Sequence, residues 1–233
     1  MARSRPTYMV PVDAHVFVIS LSRTPARRAQ LLDSLVRMEI QYDIFPAVDG
    51  RLPFEKQDIL KYAAVRKQHK LELYHSYSSI SDSALHERLR FGCYLSHVHL
   101  WQLQTEEESA HLVILEDDVS LAQGFYVELK DRMQKLPDTW DIFYLNSCHT
   151  KYGGLLRPGI FQLRGALCTY GYAISLAGAR KLLKHTAIRS EKPIDHMLDE
   201  AIYTSLLTAY HAHPPLIFPQ KVKSTLAYPS LTT

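Results

Sequence analysis

The chain has 233 residues, with 27 Lys and Arg against 24 Asp and Glu, a formal net charge of +3, and 46% hydrophobic residues. High apolar content with a small net charge excludes bulk disorder, and the length suits one good-sized core. Three cysteines (Cys93, Cys148 and Cys168) are an odd, sparse set without metal-ligand spacing, which argues against a disulfide scaffold, and the mild charge gives no reason to expect a nucleic-acid partner.

Met1 to Val12 carries Arg3 and Arg5 but no apolar run of signal-peptide length. The strongest apolar stretches, Val16–Leu21 and Leu112–Leu115, are strand-length, far below the ~20 residues of a membrane span. These features predict a cytoplasmic protein with reduced thiols.

In chain order, His15–Leu21 is β-branched and aromatic and reads as a buried strand. Thr24-Pro25 supplies an N-cap and a proline at the first helical position, and Leu31, Leu32, Leu35 and Met38 follow on one helical face. Tyr42–Phe45 is a second strand closed by Pro46, so the chain opens as βαβ, which predicts a parallel sheet covered by helices. The stretch 52–90 is rich in Lys, His and Tyr, includes the turn-like Ser76–Ser83, and reads as helix followed by an irregular insertion. A helix is predicted from about Gly92 through Glu107, then a strand over His111–Leu115 that ends in acids. Next come a helix near Gly124–Lys135, a strand over Trp140–Leu145, and a loop over Ser147–Pro158. A strand over Thr169–Ser175 leads into helices at Leu176–His185 and Ile194–Leu207. Without repeats or linkers, residues 1–233 read as a single α/β domain.

Glu116, Asp117 and Asp118 are the most informative residues. Three carboxylates directly after Leu112–Leu115 would sit at the carboxyl edge of a sheet, where open α/β folds bind ligands. Two like charges 4 Å apart repel by roughly 4 kcal/mol at an effective dielectric of 20. Such a cluster favours a raised pKa or a bound hard cation that bridges to a phosphate. The bland alternative is a solvated turn ending the strand.

Seven segments, in order, resemble glycosyltransferase family 25, the lipopolysaccharide and lipooligosaccharide sugar transferases whose relatives include collagen galactosyltransferases. They are Val18–Arg28, Phe45–Arg51, Gly92–His97 with Trp101, Val113–Val119, Trp140–Ile142, Tyr170–Ser175 with Gly178–Leu182, and Pro193–His196. The resemblance implies a GT-A-like (Rossmann-like) nucleotide-sugar fold with a mostly parallel central sheet flanked by helices. It also implies inversion at the sugar carbon, a UDP-hexose donor, UDP-galactose above all, and a lipopolysaccharide or lipooligosaccharide acceptor. Such an acceptor would bring the protein into peripheral contact with the inner face of the cell membrane. Donors carrying glucose or N-acetylglucosamine, and a non-catalytic nucleotide- or glycan-binding member, are the alternatives. Nucleotidyl transfer lacks a Gly-rich phosphate loop near the first strand.

The family's metal motif falls on Glu116–Asp118, so Glu116 and Asp118 would hold Mn²⁺ (or Mg²⁺), with Asp117 beside the donor. Ser20, Leu21 and Arg23 lie past the first strand, where the nucleotide would meet it, and Arg27 and Arg28 fall in the next helix, where a guanidinium would bind diphosphate. Asp49 would accept from uracil or ribose, unless it merely forms an Asp-Gly turn. Ser96 and His97 are donor-side candidates on a helix, where a lone His is more often packed in a core. Asp195, in a predicted first helical turn where backbone donors keep a carboxylate ionised, is the expected base, and Glu200 is the next candidate. His196, His211 and His213 are candidates for a further metal ligand, the last two sharing one face of a strand. Tyr170 and Tyr172 would either stack on a sugar or join the core.

Overall fold

The computed structural model describes residues 15–52, 82–186 and 192–220. Its centre is a six-stranded sheet built from β1 (His15–Ser20), β2 (Tyr42–Pro46), β3 (His111–Glu116), β5 (Ile142–Arg157), β6 (Ile160–Ser175) and β7 (Ala209–Ala212). Their spatial order is β2-β1-β3-β6-β5-β7. β1 is parallel to both β2 and β3, β6 is antiparallel to β3 and β5, and β7 is parallel to β5. Only β6 is reversed, so the sheet is mostly parallel, as the βαβ opening predicts.

The alternation of side chains along each strand separates two cores. On one face Phe17 and Ile19 of β1, Leu112 and Ile114 of β3, and Ile142 and Tyr144 of β5 are buried together. Three helices cover them: α2 (Asp82–Glu106) through Tyr94, Leu95 and Val98, α4 (Leu176–Thr186) through Ala179 and Leu182, and α5 (Ile194–Tyr203) through Met197 and Leu198. On the other face Val16, Val18, Val113, Leu115, Phe143 and Leu145 pack under α1 (Pro25–Arg37) and α3 (Phe125–Gln134), which contribute Leu31, Leu35, Phe125 and Leu129. A strand apolar on both faces is what a helix-sheet-helix sandwich requires. Pro25 opens α1 with Thr24 in the cap position, but the Thr24 side chain makes no capping bond to the helix and reaches the Leu21 carbonyl at 3.4 Å.

A second, two-stranded sheet pairs β4 (Val119–Leu121) with β8 (Ile217–Pro219), antiparallel. It ties the segment just after the acidic triplet to the last described residues. The Gln220 amide donates to the Asp118 carbonyl at 2.7 Å, and its side chain donates to the Val119 carbonyl at 2.7 Å.

Several local expectations are corrected. The α2 helix begins at Asp82, ahead of Gly92, so the end of the expected insertion is helical; the rest of it, 53–81, lies outside the described residues, as does Met1–Val12. Ser147–Pro158 is not a loop, because β5 runs on to Arg157 and pairs with a β6 that starts at Ile160. Gly153-Gly154 and the polar run Ser147–Lys151 before them read as a loop locally. Cross-strand pairing with repeated register shifts holds them extended. The α5 helix stops at Tyr203, with Thr204 as its cap, rather than at Leu207. β7 ends at Ala212, so His213 lies beyond the strand, followed by a cis bond to Pro214. The expected reduced thiols are overturned for two of the three cysteines: Cys148 and Cys168 form a disulfide across the β5–β6 hairpin, and Cys93 is free.

Candidate functional site

Parallel pairing sets the site. Ile19 is level with Glu116 and Ser20 with Pro46, so the ends of β1, β2 and β3 reach one edge of the sheet together. The chain leaving each strand lines a cavity of about 430 Å³ there, through Leu21, the 47–50 loop and Asp117-Asp118. β6 contributes Cys168, Thr169 and Tyr170, α2 contributes Cys93, Ser96 and His97, and α5 contributes Ile194 and Asp195.

The acidic triplet divides its partners. Arg27 in the first turn of α1 binds Asp117 through Nε at 2.6 Å and Asp118 through Nη2 at 2.6 Å. The second oxygen of Asp117 accepts from the Ser20 hydroxyl at 2.7 Å, and Arg28 donates to that hydroxyl at 3.1 Å. Asp118 keeps one buried oxygen, Oδ1, without a hydrogen-bond partner. Burial and the neighbouring Glu116 charge outweigh Arg27 and push its carboxyl up to about 6. Glu116 shifts the other way: burial raises its carboxyl, but the adjacent His97, the Thr169 hydroxyl donating at 2.5 Å, and Arg27 lower it overall. The triplet thus holds one ionised and one proton-seeking carboxyl in a single cavity.

Asp49 and Ser96 belong to one packing device. The 47–50 loop lies so close on α2 that a Cβ on Gly50 would meet the Arg88 carbonyl oxygen at 2.3 Å, and one on Gly92 would meet the Val48 carbonyl oxygen at 2.5 Å. Ser96 clips the loop, accepting from the Val48 amide at 2.9 Å while donating to the Gly92 carbonyl at 2.8 Å. Asp49 makes the turn, accepting from the Arg51 amide at 3.0 Å, and it also lines the cavity and binds Arg23 at 2.6 Å. The turn and site readings of Asp49 are therefore compatible.

His97 is fully buried, and its Nδ1 lies 2.8 Å from the Tyr172 hydroxyl, which also accepts from the Trp101 indole at 3.0 Å. Tyr172 is accordingly core, while Tyr170 lines the cavity. Burial, followed by the charges of Glu116, Asp195 and Asp118, pushes the Cys93 thiol well above its usual range.

Asp195 lies in the first turn of α5 and receives two backbone donors, His196 at 2.9 Å and Cys168 at 3.3 Å. Cys168 adopts a φ of +65°, unusual outside glycine, and the disulfide to Cys148 anchors it. A disulfide therefore secures one of the two amides that hold this carboxylate.

Other expected residues fall elsewhere. Arg23 reaches the site only through Asp49, and Glu200 faces away, accepting from Lys192 at 2.8 Å. His196 is exposed and outside the cavity lining. His211 is buried with its Nδ1 against the Ala212 carbonyl, its pKa lowered to about 4 chiefly by burial, and His213 packs edge-on to Tyr152 and Phe161. Neither lines the cavity, because β7 is at the far side of the sheet from β3. The Asp141 of Trp140-Asp-Ile is structural, accepting from Lys181 at 2.6 Å and the Thr208 amide at 2.8 Å. Cys93, Thr169, Pro219 and Gln220 also line the site and carry no local sequence signal for it; only the pairings of β6 and β8 bring the last three there.

The model of glycosyltransferase family 25 (LPS biosynthesis protein) matches residues 13–154. A rat (Rattus norvegicus) protein named probable inactive glycosyltransferase 25 family member 3 is 33% identical over 229 residues, covering 94% of this chain and 37% of the relative. Mouse (Mus musculus) procollagen galactosyltransferase 2 is 29% identical over 224 residues, covering 88% of this chain and 35% of the relative. A solved structure, mannose-1-phosphate geranyltransferase of Thermus thermophilus, aligns with a TM-score of 0.42 at 9% identity over 85% of this chain and 73% of its own, too remote to bear on function. The chain spans about a third of the length of the curated relatives it matches. With more than half of its length matched by the family model and the motif residues gathered at one sheet edge, the chain belongs to glycosyltransferase family 25.

Proposed function

We propose that the chain is an inverting transferase that moves a hexose, galactose from UDP-galactose, onto a hydroxyl of a glycan acceptor. The observation that carries this reading is the gathering of Glu116–Asp118, Arg27 and Asp195 in one cavity at the carboxyl edge of the sheet. The residues fit a hard divalent cation: all donors are carboxylate oxygens, and Asp118 Oδ1 is buried without a partner. Glu116 and Asp118 would hold Mn²⁺ or Mg²⁺, and the cation, when bound, neutralises charge on the departing diphosphate. Arg27, fixed by Asp117, presents a second positive charge to the same phosphates. The Leu21 segment and Asp49 form the wall for uridine. Asp195, which accepts from two backbone amides, takes the proton of the acceptor hydroxyl as its oxygen attacks the sugar carbon and UDP leaves from the opposite face. His196, His213 and Glu200 have no part in this scheme.

A lipopolysaccharide or lipooligosaccharide hydroxyl is the acceptor implied by the sequence. The disulfide favours folding in an oxidising compartment, where a procollagen-type protein acceptor like that named for the mouse relative would be met. No helix among the described residues is long and apolar enough to cross a membrane. A second reading, a member that binds a nucleotide sugar without turning it over, is favoured by the name of the rat relative. The deciding experiment is a panel of UDP-galactose, UDP-glucose and UDP-N-acetylglucosamine, with and without Mn²⁺, scored for hydrolysis and for transfer to lactosyl glycans and procollagen peptides. Mn²⁺-dependent transfer from UDP-galactose is expected. Tight UDP binding with silence across the panel would establish the second reading.

A further inference from the structure

The α2 wall of the cavity carries chemistry that hexose transfer does not use. Cys93 and His97 are four residues apart on α2, one helical turn, so they face the same way toward the end of β3. The Cys93 sulfur, a ring nitrogen of His97 and a carboxylate oxygen of Glu116 all lie within 4.8 Å of one another. Around a tetrahedral zinc, with bonds of about 2.3 Å to sulfur and 2.0–2.1 Å to nitrogen, such atoms stand roughly 3.3–3.7 Å apart. The 3.7 Å between His97 Nε2 and Glu116 Oε1 already stands at the upper end of this range.

His97 is the second, independent sign of a ligand. The ring is wholly buried, and Nε2 lies 3.7 Å from Glu116 Oε1 without a hydrogen-bond partner. Buried polar atoms are rarely left this way, since each gives up its hydrogen bonds to water without a replacement. The other nitrogen, Nδ1, is already oriented by the Tyr172 hydroxyl, which is in turn held by Trp101. With a cation on Nε2, Nδ1 carries the proton and donates to that hydroxyl, the outer support found behind metal-bound histidines.

We infer that Cys93, His97 and Glu116 form a site for a thiophilic divalent cation, zinc, with a fourth position open to the cavity. One sulfur, one nitrogen and one oxygen with an open position is the pattern of a reactive rather than a purely structural zinc. The sulfur and imidazole select zinc against the hard ions that suit the neighbouring carboxylates. Glu116 is shared with the carboxylate pair proposed above for the hard cation, so zinc here would compete for that side chain, but zinc binding itself does not require that the chain transfers a sugar.

The test uses the full chain stripped of metal with a chelator. Zinc titrated in competition with a chromogenic chelator is expected to bind one ion per chain, and Cys93→Ser to weaken that binding at least ~100-fold. Tyr172→Phe, which leaves the three ligands in place but removes the hydroxyl behind Nδ1 and the acceptor of the Trp101 indole, should weaken it about 10- to 100-fold. Cobalt as a probe should give a thiolate-to-metal charge-transfer band and the intense visible bands of a tetrahedral ion, both lost in Cys93→Ser. Zinc affinity unchanged by Cys93→Ser, or a cobalt spectrum of the unsubstituted chain without the thiolate band, overturns the site. The second measurement decides even if the variant fails to fold.

Discussion

The two halves of the sheet serve the cavity by different means. In the parallel half, β2-β1-β3, the site residues directly follow strand ends, and register alone brings Ser20, Asp49 and Glu116–Asp118 to one edge. In the half built on the β5–β6 hairpin, Cys168, Thr169 and Tyr170 lie within a long strand, and cross-strand pairing plus a disulfide decides where they stand. The first half offers charge and the second offers support. Function should therefore fail first when the parallel half is altered, and stability first when the hairpin is.

The largest effects should separate charge from support. Asp118→Ala is expected to abolish Mn²⁺-dependent UDP binding and to cut transfer about 10²–10³-fold, the scale for losing one electrostatic stabiliser of the transition state. Its circular dichroism spectrum should stay unchanged. Asp195→Asn should retain UDP binding but lose about 10²–10⁴ in kcat. Normal turnover in that variant would move the base elsewhere.

Cys148→Ser should act on the hairpin half. Opening a bridge between residues 20 apart is expected to cost about 2–4 kcal/mol in urea unfolding, with UDP affinity nearly retained. A loss of UDP binding larger than the loss of stability would show that the halves are coupled more tightly than their construction implies.

Acid should affect the halves in opposite directions. The Asp118 carboxyl is raised from 3.8 to about 6, so the folded state keeps this proton to higher pH than the unfolded chain. Its contribution to stability falls as pH rises from about 4 to 6 and stays lower above. Asp118→Asn cannot titrate, so its stability relative to the unsubstituted chain should grow by about 2–3 kcal/mol between pH 4 and pH 7. His211, lowered from 6.5 to about 4, works the other way: the unfolded chain takes a proton that the fold refuses, and stability drops as pH falls through that interval. Unfolding free energies across pH, for the unsubstituted chain and each variant, check both signs.

The smallest effect concerns the joint between loop and helix. Gly92→Ala places a methyl 2.5 Å from the Val48 carbonyl oxygen, so the 47–50 loop must shift, at a cost of about 1–3 kcal/mol. Donor affinity should drop with it, since Asp49 moves. Unchanged affinity would detach this loop from the donor site.

Legibility in the sequence follows the same division. The apolar runs of β1 and β3 and the acids that end β3 are contiguous in the chain, so periodicity and order suffice to read the mostly parallel sheet and its edge. Asp195 is legible because Pro193 announces a helix start. Glu200 and His196 are misplaced by sequence reasoning because a helix pattern does not say which face meets the cavity. His213 is expected on a strand that stops one residue earlier.

Residue order is enough to set the chemical groups and their attachment to strand ends: an acidic triplet, an arginine in the first turn of α1, and a carboxylate at a helix start. It takes the assembled fold to make Thr169 grip Glu116, to close the last described residues over Asp118, to turn Cys93 and His97 toward the same carboxylate, and to bring Cys148 to Cys168. The physical reason is range. Strand direction and helix capping are set by neighbours within a few residues, whereas the register of a hairpin and the approach of a helix to a sheet depend on partners tens of residues away. Packing two cores at once settles those, and no local pattern records the outcome.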